Sequence, residues 1–158
     1  MQHTVGISEM RVSNTSSDVI VTYSLGSCIG LAVYDPVAMV GGMIHCMLPL
    51  SKIDPAKGAT RPYMFVDTGV PELLMTVYEL GADRKRLVVK VAGAASLLDE
   101  KGLFKIGERN YTVLRKLLWK NNILIQAEDV GGTAARTMYL YLDTGRTIIK
   151  SGGKEAEL

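Results

Sequence analysis

Cys28 and His45 are the side chains of this sequence whose types can make a nucleophile and its base. A thiolate attacks a carbonyl carbon far better than a thiol does. An imidazole that takes the proton can lower a cysteine pKa from about 8.5 into the range of about 3.5–7.5. The same imidazole can then return the proton to a departing amine, so the chemistry on offer is acyl transfer at an amide. Gly26 and Ser27 form a flexible corner before the cysteine. Its amide hydrogens, with that of Cys28 itself, can face the oxygen of a tetrahedral intermediate. Thr22, polar at the end of the strand-like run Val19-Ile20-Val21, is by position the group that would orient the imidazole.

A hairpin would bring thiol and imidazole together. The apolar runs Cys28 to Tyr34 and Val40 to Leu48 flank Asp35-Pro36-Val37-Ala38, and Asp then Pro suits a type I turn. A turn centred between Pro36 and Val37 sets Cys28 directly opposite His45, with Cβ atoms roughly 4.5–5.5 Å apart. Ile29, Leu31 and Val33 then share an apolar face with Val40, Gly42, Ile44, Cys46 and Leu48. The other face carries Cys28 and His45 beside Gly30, Ala32, Gly41 and Met43, mostly small side chains that would leave room for a substrate. Against this stand plainer readings, because a lone cysteine in an apolar run is usually a small buried hydrophobe and a lone strand histidine usually a hydrogen-bonded core residue. Cys46 takes the plain reading. With the two cysteines on opposite faces of one hairpin, no disulfide is expected.

Six segments carry a family resemblance: Thr22-Tyr23-Ser24-Leu25-Gly26-Ser27-Cys28, Asp35-Pro36, His45-Cys46-Met47-Leu48-Pro49, Asp67-Thr68, Ile106-Gly107-Glu108-Arg109-Asn110 and Ala127-Glu128-Asp129-Val130-Gly131-Gly132. In order and spacing they resemble the CheD family of chemoreceptor glutamine deamidases. The resemblance puts the family's cysteine on Cys28, its histidine on His45 and its threonine on Thr22. It implies hydrolysis of specific glutamine side chains on methyl-accepting chemotaxis receptors, giving glutamate and ammonia through a thioester. It also implies an α/β fold, a single-domain layered sandwich of order α/β/β similar to the catalytic domain of cytotoxic necrotising factor toxins. A CheC-like phosphatase is the further partner implied. This chain departs from the family pattern at Ser24 and Ala94, where glycines are common, and at Val130, where threonine is. Two other functions stay open: a non-catalytic adaptor that binds receptors or the phosphatase, and an unrelated cysteine hydrolase.

The rest of the sequence sets bounds. A chain of 158 residues, 47% apolar and 22% charged, suits one sizeable core and describes an ordinary globule. One domain is expected over 1–150, with 151–158 a mobile tail. A net charge of +2 gives no broad basic footprint for nucleic acid. No apolar run approaches the ~20 residues of a membrane span, and Met1-Gln2-His3-Thr4 does not open a signal peptide; the expectation is a cytoplasmic protein without membrane insertion. Two cysteines and two histidines without tight spacing make a poor ligand set, so neither metal nor cofactor is expected. Ser51 to Pro62 reads as an exposed loop that could border the substrate mouth. A helix is expected with Thr68 as N-cap, Pro71 in its first turn and Gly81 at its end, and another through Val113, Leu114, Leu117 and Leu118, stopping near Asn121-Asn122. Strands are expected at 87–91, 123–127 and 137–142. Asp83-Arg84-Lys85-Arg86 reads as a solvated connection, and Glu128 and Asp129 should point to opposite faces of a strand.

Overall fold

The computed structural model describes residues 1–96 and 105–158. Its strands form two five-stranded sheets. The first sheet holds, in order, β1 (Gln2–Thr4), β3 (Val19–Leu25), β8 (Arg136–Tyr141), β9 (Thr147–Ser151) and β10 (Lys154–Glu157). The second holds β2 (Met10–Ser13), β5 (Val40–Cys46), β4 (Ile29–Asp35), β6 (Val88–Gly93) and β7 (Ala127–Val130). The helices are α1 (Pro55–Thr60), α2 (Val66–Glu79) and α3 (Ile106–Lys120).

Alternation along β4 and β5 builds the layers. Ile29, Leu31, Val33, Ile44 and Cys46 pack against Val66, Val70, Leu73 and Val77 of α2 and Leu114 and Leu118 of α3. On the opposite face Ala32, Tyr34 and Met43 meet Ile20, Leu25, Met138, Leu140 and Ile149 of the first sheet. The molecule is therefore a mixed α/β structure of helices, sheet and sheet. Strands buried on both faces read as continuous apolar runs, as β4 and β5 do.

The hairpin register differs from the expected one. Asp35 pairs with Val40 and Gly30 with His45, a shift of two positions. The cause is the side chain of Asp35, which accepts hydrogen bonds from the backbone N–H groups of Val37 and Ala38 at 2.9 and 3.1 Å and opens a longer loop. An even shift preserves which face each residue occupies, so the sorting of apolar and small side chains survives. The same carboxylate pairs with Arg86 at 2.9 Å, which gives the basic connection a structural anchor.

Other elements also differ. Ser51 to Pro62 is not a plain loop but a 3-10 turn followed by α1, capped by Asp54 through the N–H of Lys57. Thr68 is not an N-cap, and Pro71 lies inside α2. The helix starts earlier because the N–H groups of Val66 and Asp67 donate to the carbonyls of Leu48 and Pro49, so no side-chain cap is needed. The strand expected at 123–127 begins only at Ala127. Residues 154–157, expected in a mobile tail, pair antiparallel with β9 through a turn in which Gly152 and Gly153 both have positive φ.

Candidate active site

The chain leaves the first sheet and enters the second through Gly26-Ser27-Cys28, between β3 and β4. Just before this corner the pairing of β3 with β8 is interrupted between Thr22 and Leu25, and Ser24 there has φ 57°. Behind it the backbone turn after β6 packs so closely that a Cβ on Gly93 would collide with the carbonyl of Cys28. The N–H groups of Ala94 and Ala95 donate to the carbonyls of Cys28 and Gly26 at 2.8 and 2.9 Å. Arg136 holds this turn from the first sheet by donating to the carbonyl of Gly93 at 3.1 Å, and it pairs with Asp129 at 3.3 Å. Glu128, on the opposite face as expected, accepts from the hydroxyl of Tyr111 on α3.

Thr22 and His45 meet across the two sheets. Both are buried, and Thr22 Oγ1 lies 2.7 Å from His45 Nδ1 and 2.7 Å from the carbonyl oxygen of Val5. A carbonyl only accepts, so the Thr22 hydroxyl hydrogen goes to Val5 and its oxygen must accept from Nδ1–H. This fixes the tautomer, leaving the lone pair of the imidazole on Nε2. Nε2 is buried and has no hydrogen-bond partner among the described residues. The backbone of His45 is held too, its N–H donating to Glu9 and its carbonyl accepting from Ser8.

Cys28 is half-buried just before β4, on the face that carries His45. Gly30 rather than Cys28 lies opposite His45, which puts Cys28 two residues along the chain from the facing position, and no Sγ to Nε2 hydrogen bond is formed. Burial raises the Cys28 thiol above its ordinary value, opposed in part by its own backbone N–H. Burial lowers the His45 imidazole to about 4. Desolvation thus works against the charged form of both groups, the opposite direction from the lowering expected of a thiol whose neighbour takes its proton. Cys46 is fully buried, and its thiol is pushed far up, first by desolvation.

The room expected beside the small residues is occupied. A Cβ on Gly30 would meet Leu25 at 2.6 Å and Met138 at 3.3 Å, and one on Gly41 would meet Leu142 at 2.7 Å. These small side chains of the second sheet let the first sheet approach, and half-buried Cys28 lies at the leading end of β4. Gly26 and Ser27 are half-buried at that end. A groove of about 490 Å³ lined by Pro49, Leu50, Lys52, Ile53, Arg109 and Val113, among others, includes part of the segment expected at the substrate mouth. A larger cavity of about 690 Å³ beside Tyr111 and Trp119 contains none of Thr22, Cys28 and His45. Among the described residues no helix is long and apolar enough to cross a membrane, and no group of three His, Cys, Asp or Glu could hold a metal ion.

Two contributors are not singled out as site residues by the sequence, although one of them, Asn110, closes the segment Ile106-Gly107-Glu108-Arg109-Asn110 that carries part of the family resemblance. The Val5 carbonyl is a backbone group and has no side-chain signature. Asn110 of α3 is buried with its amide between the corner and the end of the hairpin, donating to the carbonyls of Ser27 and Met47. Its signal was available, since Asn110 lies at helical spacing with the buried Leu114 and Leu118 and so places a polar residue on an apolar stripe.

A cysteine and a tautomer-fixed histidine at the meeting of two sheets is an arrangement suited to amide chemistry, and comparison with known proteins agrees in class. Residues 47–151 match the family model described as CheD chemotactic sensory transduction. A probable chemoreceptor glutamine deamidase CheD of Solibacter usitatus is 51% identical over 154 residues, 98% of this chain and 91% of the relative. A probable chemoreceptor glutamine deamidase CheD 1 of Syntrophus aciditrophicus is 51% identical over 94% of this chain and 93% of its own length. One from Archaeoglobus fulgidus is 38% identical over 92% and 90%. The chain belongs to the CheD family.

Proposed function

We propose that this protein is a cytoplasmic deamidase that hydrolyses glutamine side chains on methyl-accepting chemotaxis receptors. The observation that carries the reading is the lone pair of His45 Nε2, unpartnered on the face of Cys28 because Val5 and Thr22 hold the proton on Nδ1. The substrate class comes from the names of the relatives.

In this mechanism the glutamine carboxamide enters at the strand end. Nε2 takes the thiol proton as Sγ attacks the carboxamide carbon, and the oxygen that becomes negative accepts from the Cys28 N–H at the Gly26-Ser27 corner. The imidazolium then gives its proton to the nitrogen. The C–N bond breaks, ammonia leaves, and the acyl group stays on sulfur as a thioester. Water, deprotonated by Nε2, attacks that carbon; the C–S bond breaks, glutamate is released and the thiol recovers its proton. The ring is neutral before attack and charged only in passing, so Thr22 Oγ1 would stabilise the imidazolium as well as orient it.

The layered sheets also support a likeness to the catalytic domain of cytotoxic necrotising factor toxins. A CheC-like phosphatase is proposed as a partner that competes with receptor for the approach to Cys28, so its titration should suppress ammonia release.

Ammonia release is the test, measured from a receptor fragment and from small amides with the wild-type protein and Cys28→Ala. Release from the receptor alone, lost in the variant, supports the proposal. Receptor binding without release would mean an adaptor, and equal release from small amides a general cysteine hydrolase.

A further inference from the structure

Asn110 is fully buried on α3, and both of its side-chain hydrogen bonds go to backbone outside its own helix. Nδ2 donates to the carbonyl of Ser27 at 2.9 Å and to that of Met47 at 3.0 Å. Both partners only accept, so chemistry decides which end of the amide faces them. Oδ1 is buried without a partner among the described residues, a cost an apolar residue at this place would avoid. Asparagine is also a poor helix former. Neither helix stability nor core packing explains it.

Its effect is on one peptide group. The Ser27–Cys28 peptide is trans, so its C=O and N–H point in opposite directions. Holding the carbonyl toward α3 aims the Cys28 N–H away from the helix. The flanking carbonyls of Gly26 and Cys28 are held by the backbone N–H groups of Ala95 and Ala94. For the middle carbonyl the donor is a side chain, and can be removed by substitution.

We propose that Asn110 is the positioning residue of the oxyanion site: by holding the Ser27 carbonyl it points the Cys28 N–H at the oxygen on which negative charge develops. Its second bond ties the same amide to Met47, just beyond the strand end that carries His45. One side chain thus sets the nucleophile's segment against the base's segment. The inference rests on the amide-hydrolase reading and adds to it a residue that touches neither substrate nor reacting atoms.

The test uses the full chain with Asn110→Ala and Asn110→Asp. The aspartate is isosteric, donates nothing when ionised and sets a carboxylate oxygen against two carbonyls. Ammonia release should lose about 10²-fold in kcat, the lower end for a removed oxyanion donor, with KM changed by less than about threefold. The pH dependence of Cys28 alkylation, followed by mass spectrometry, should shift to higher pH in Asn110→Ala, because a Cys28 N–H that is no longer held supports the thiolate less; Asn110→Asp, whose own charge would move the midpoint in any case, is read by kcat. A purely structural role would lower the melting temperature and leave the alkylation midpoint in place; that result overturns the proposal, as does an unchanged kcat in either folded variant. Alkylation needs no receptor. A wild-type protein that releases no ammonia, with an Asn110→Ala variant whose midpoint still shifts, would defeat the deamidase reading while supporting the hold of Asn110 on the peptide.

Discussion

Replacing Thr22 by valine tests the tautomer argument directly, because the two side chains have nearly the same shape and differ by one hydroxyl. That hydroxyl makes two buried hydrogen bonds of 2.7 Å, donated to the Val5 carbonyl and accepted from His45 Nδ1–H. With valine both partners stay buried and lose their contact. An unpaired buried group costs about 1–3 kcal/mol, so the pair should cost about 2–6 kcal/mol. For a chain of this size about 2–4 °C is lost per kcal/mol, giving a drop in melting temperature of roughly 4–24 °C. The ring also becomes free to move its proton to Nε2, which turns the base into a donor. Ammonia release below the melting transition should fall by about 10–10²-fold, less than the ~10²–10⁴-fold expected on removing the imidazole in His45→Ala. Thr22→Ser keeps the hydroxyl and should retain most activity. Nitrogen NMR of the imidazole supplies the tautomer in each protein. If Thr22→Val keeps wild-type kcat with its proton still on Nδ1, or if serine is as damaging as valine, the assignment of Thr22 as the orienting group is wrong.

A small alkylating reagent should label Cys28 much faster than the fully buried Cys46, and comparable rates by peptide mass spectrometry would show that the face assignment fails in solution. Acid should destabilise the fold through His45: its folded pKa of about 4 lies below the ordinary 6.5, so between these values the unfolded chain binds more protons. The associated stability is full above pH 6.5 and lost as pH falls toward 4, amounting to about 3 kcal/mol; urea unfolding of wild type against His45→Gln isolates it, and identical pH profiles would refute the burial argument. Ser24→Gly should stabilise by about 0.5–1 kcal/mol, because an exposed residue at φ 57° gains by losing its Cβ; an unchanged or lower melting temperature would refute it.

The face of each hairpin residue was legible in the sequence, while the register was not. Face follows from alternation, which an even shift leaves intact. Register depended on how far the Asp35 carboxylate opens the loop, and Met39 with φ 58° at its end carries no sequence sign of a left-handed residue. The pairing of Thr22 with His45 was anticipated by position, but the Val5 carbonyl that makes it directional was not. The closing hairpin was missed even though Ser151-Gly152-Gly153-Lys154 is a strong two-residue turn signal, because β10 is exposed along its whole length and shows no apolar alternation. The departures at Ser24 and Ala94 acquire a physical meaning: both have positive φ, at 57° and 54°, the conformation a glycine would relieve.

Thr22 stands on β3 of one sheet and His45 on β5 of the other, so the bond between them is also a rivet through the sandwich. A slide of one layer over the other by a fraction of a strand spacing would part hydroxyl from imidazole before either sheet lost its own ladder. On the proposed mechanism the enzyme would then fall silent while its secondary structure stayed whole. If catalysis runs as proposed, competence in this architecture reports the shear of two layers, and a bound protein that grips only one of them would mute the chemistry without reaching the sulfur.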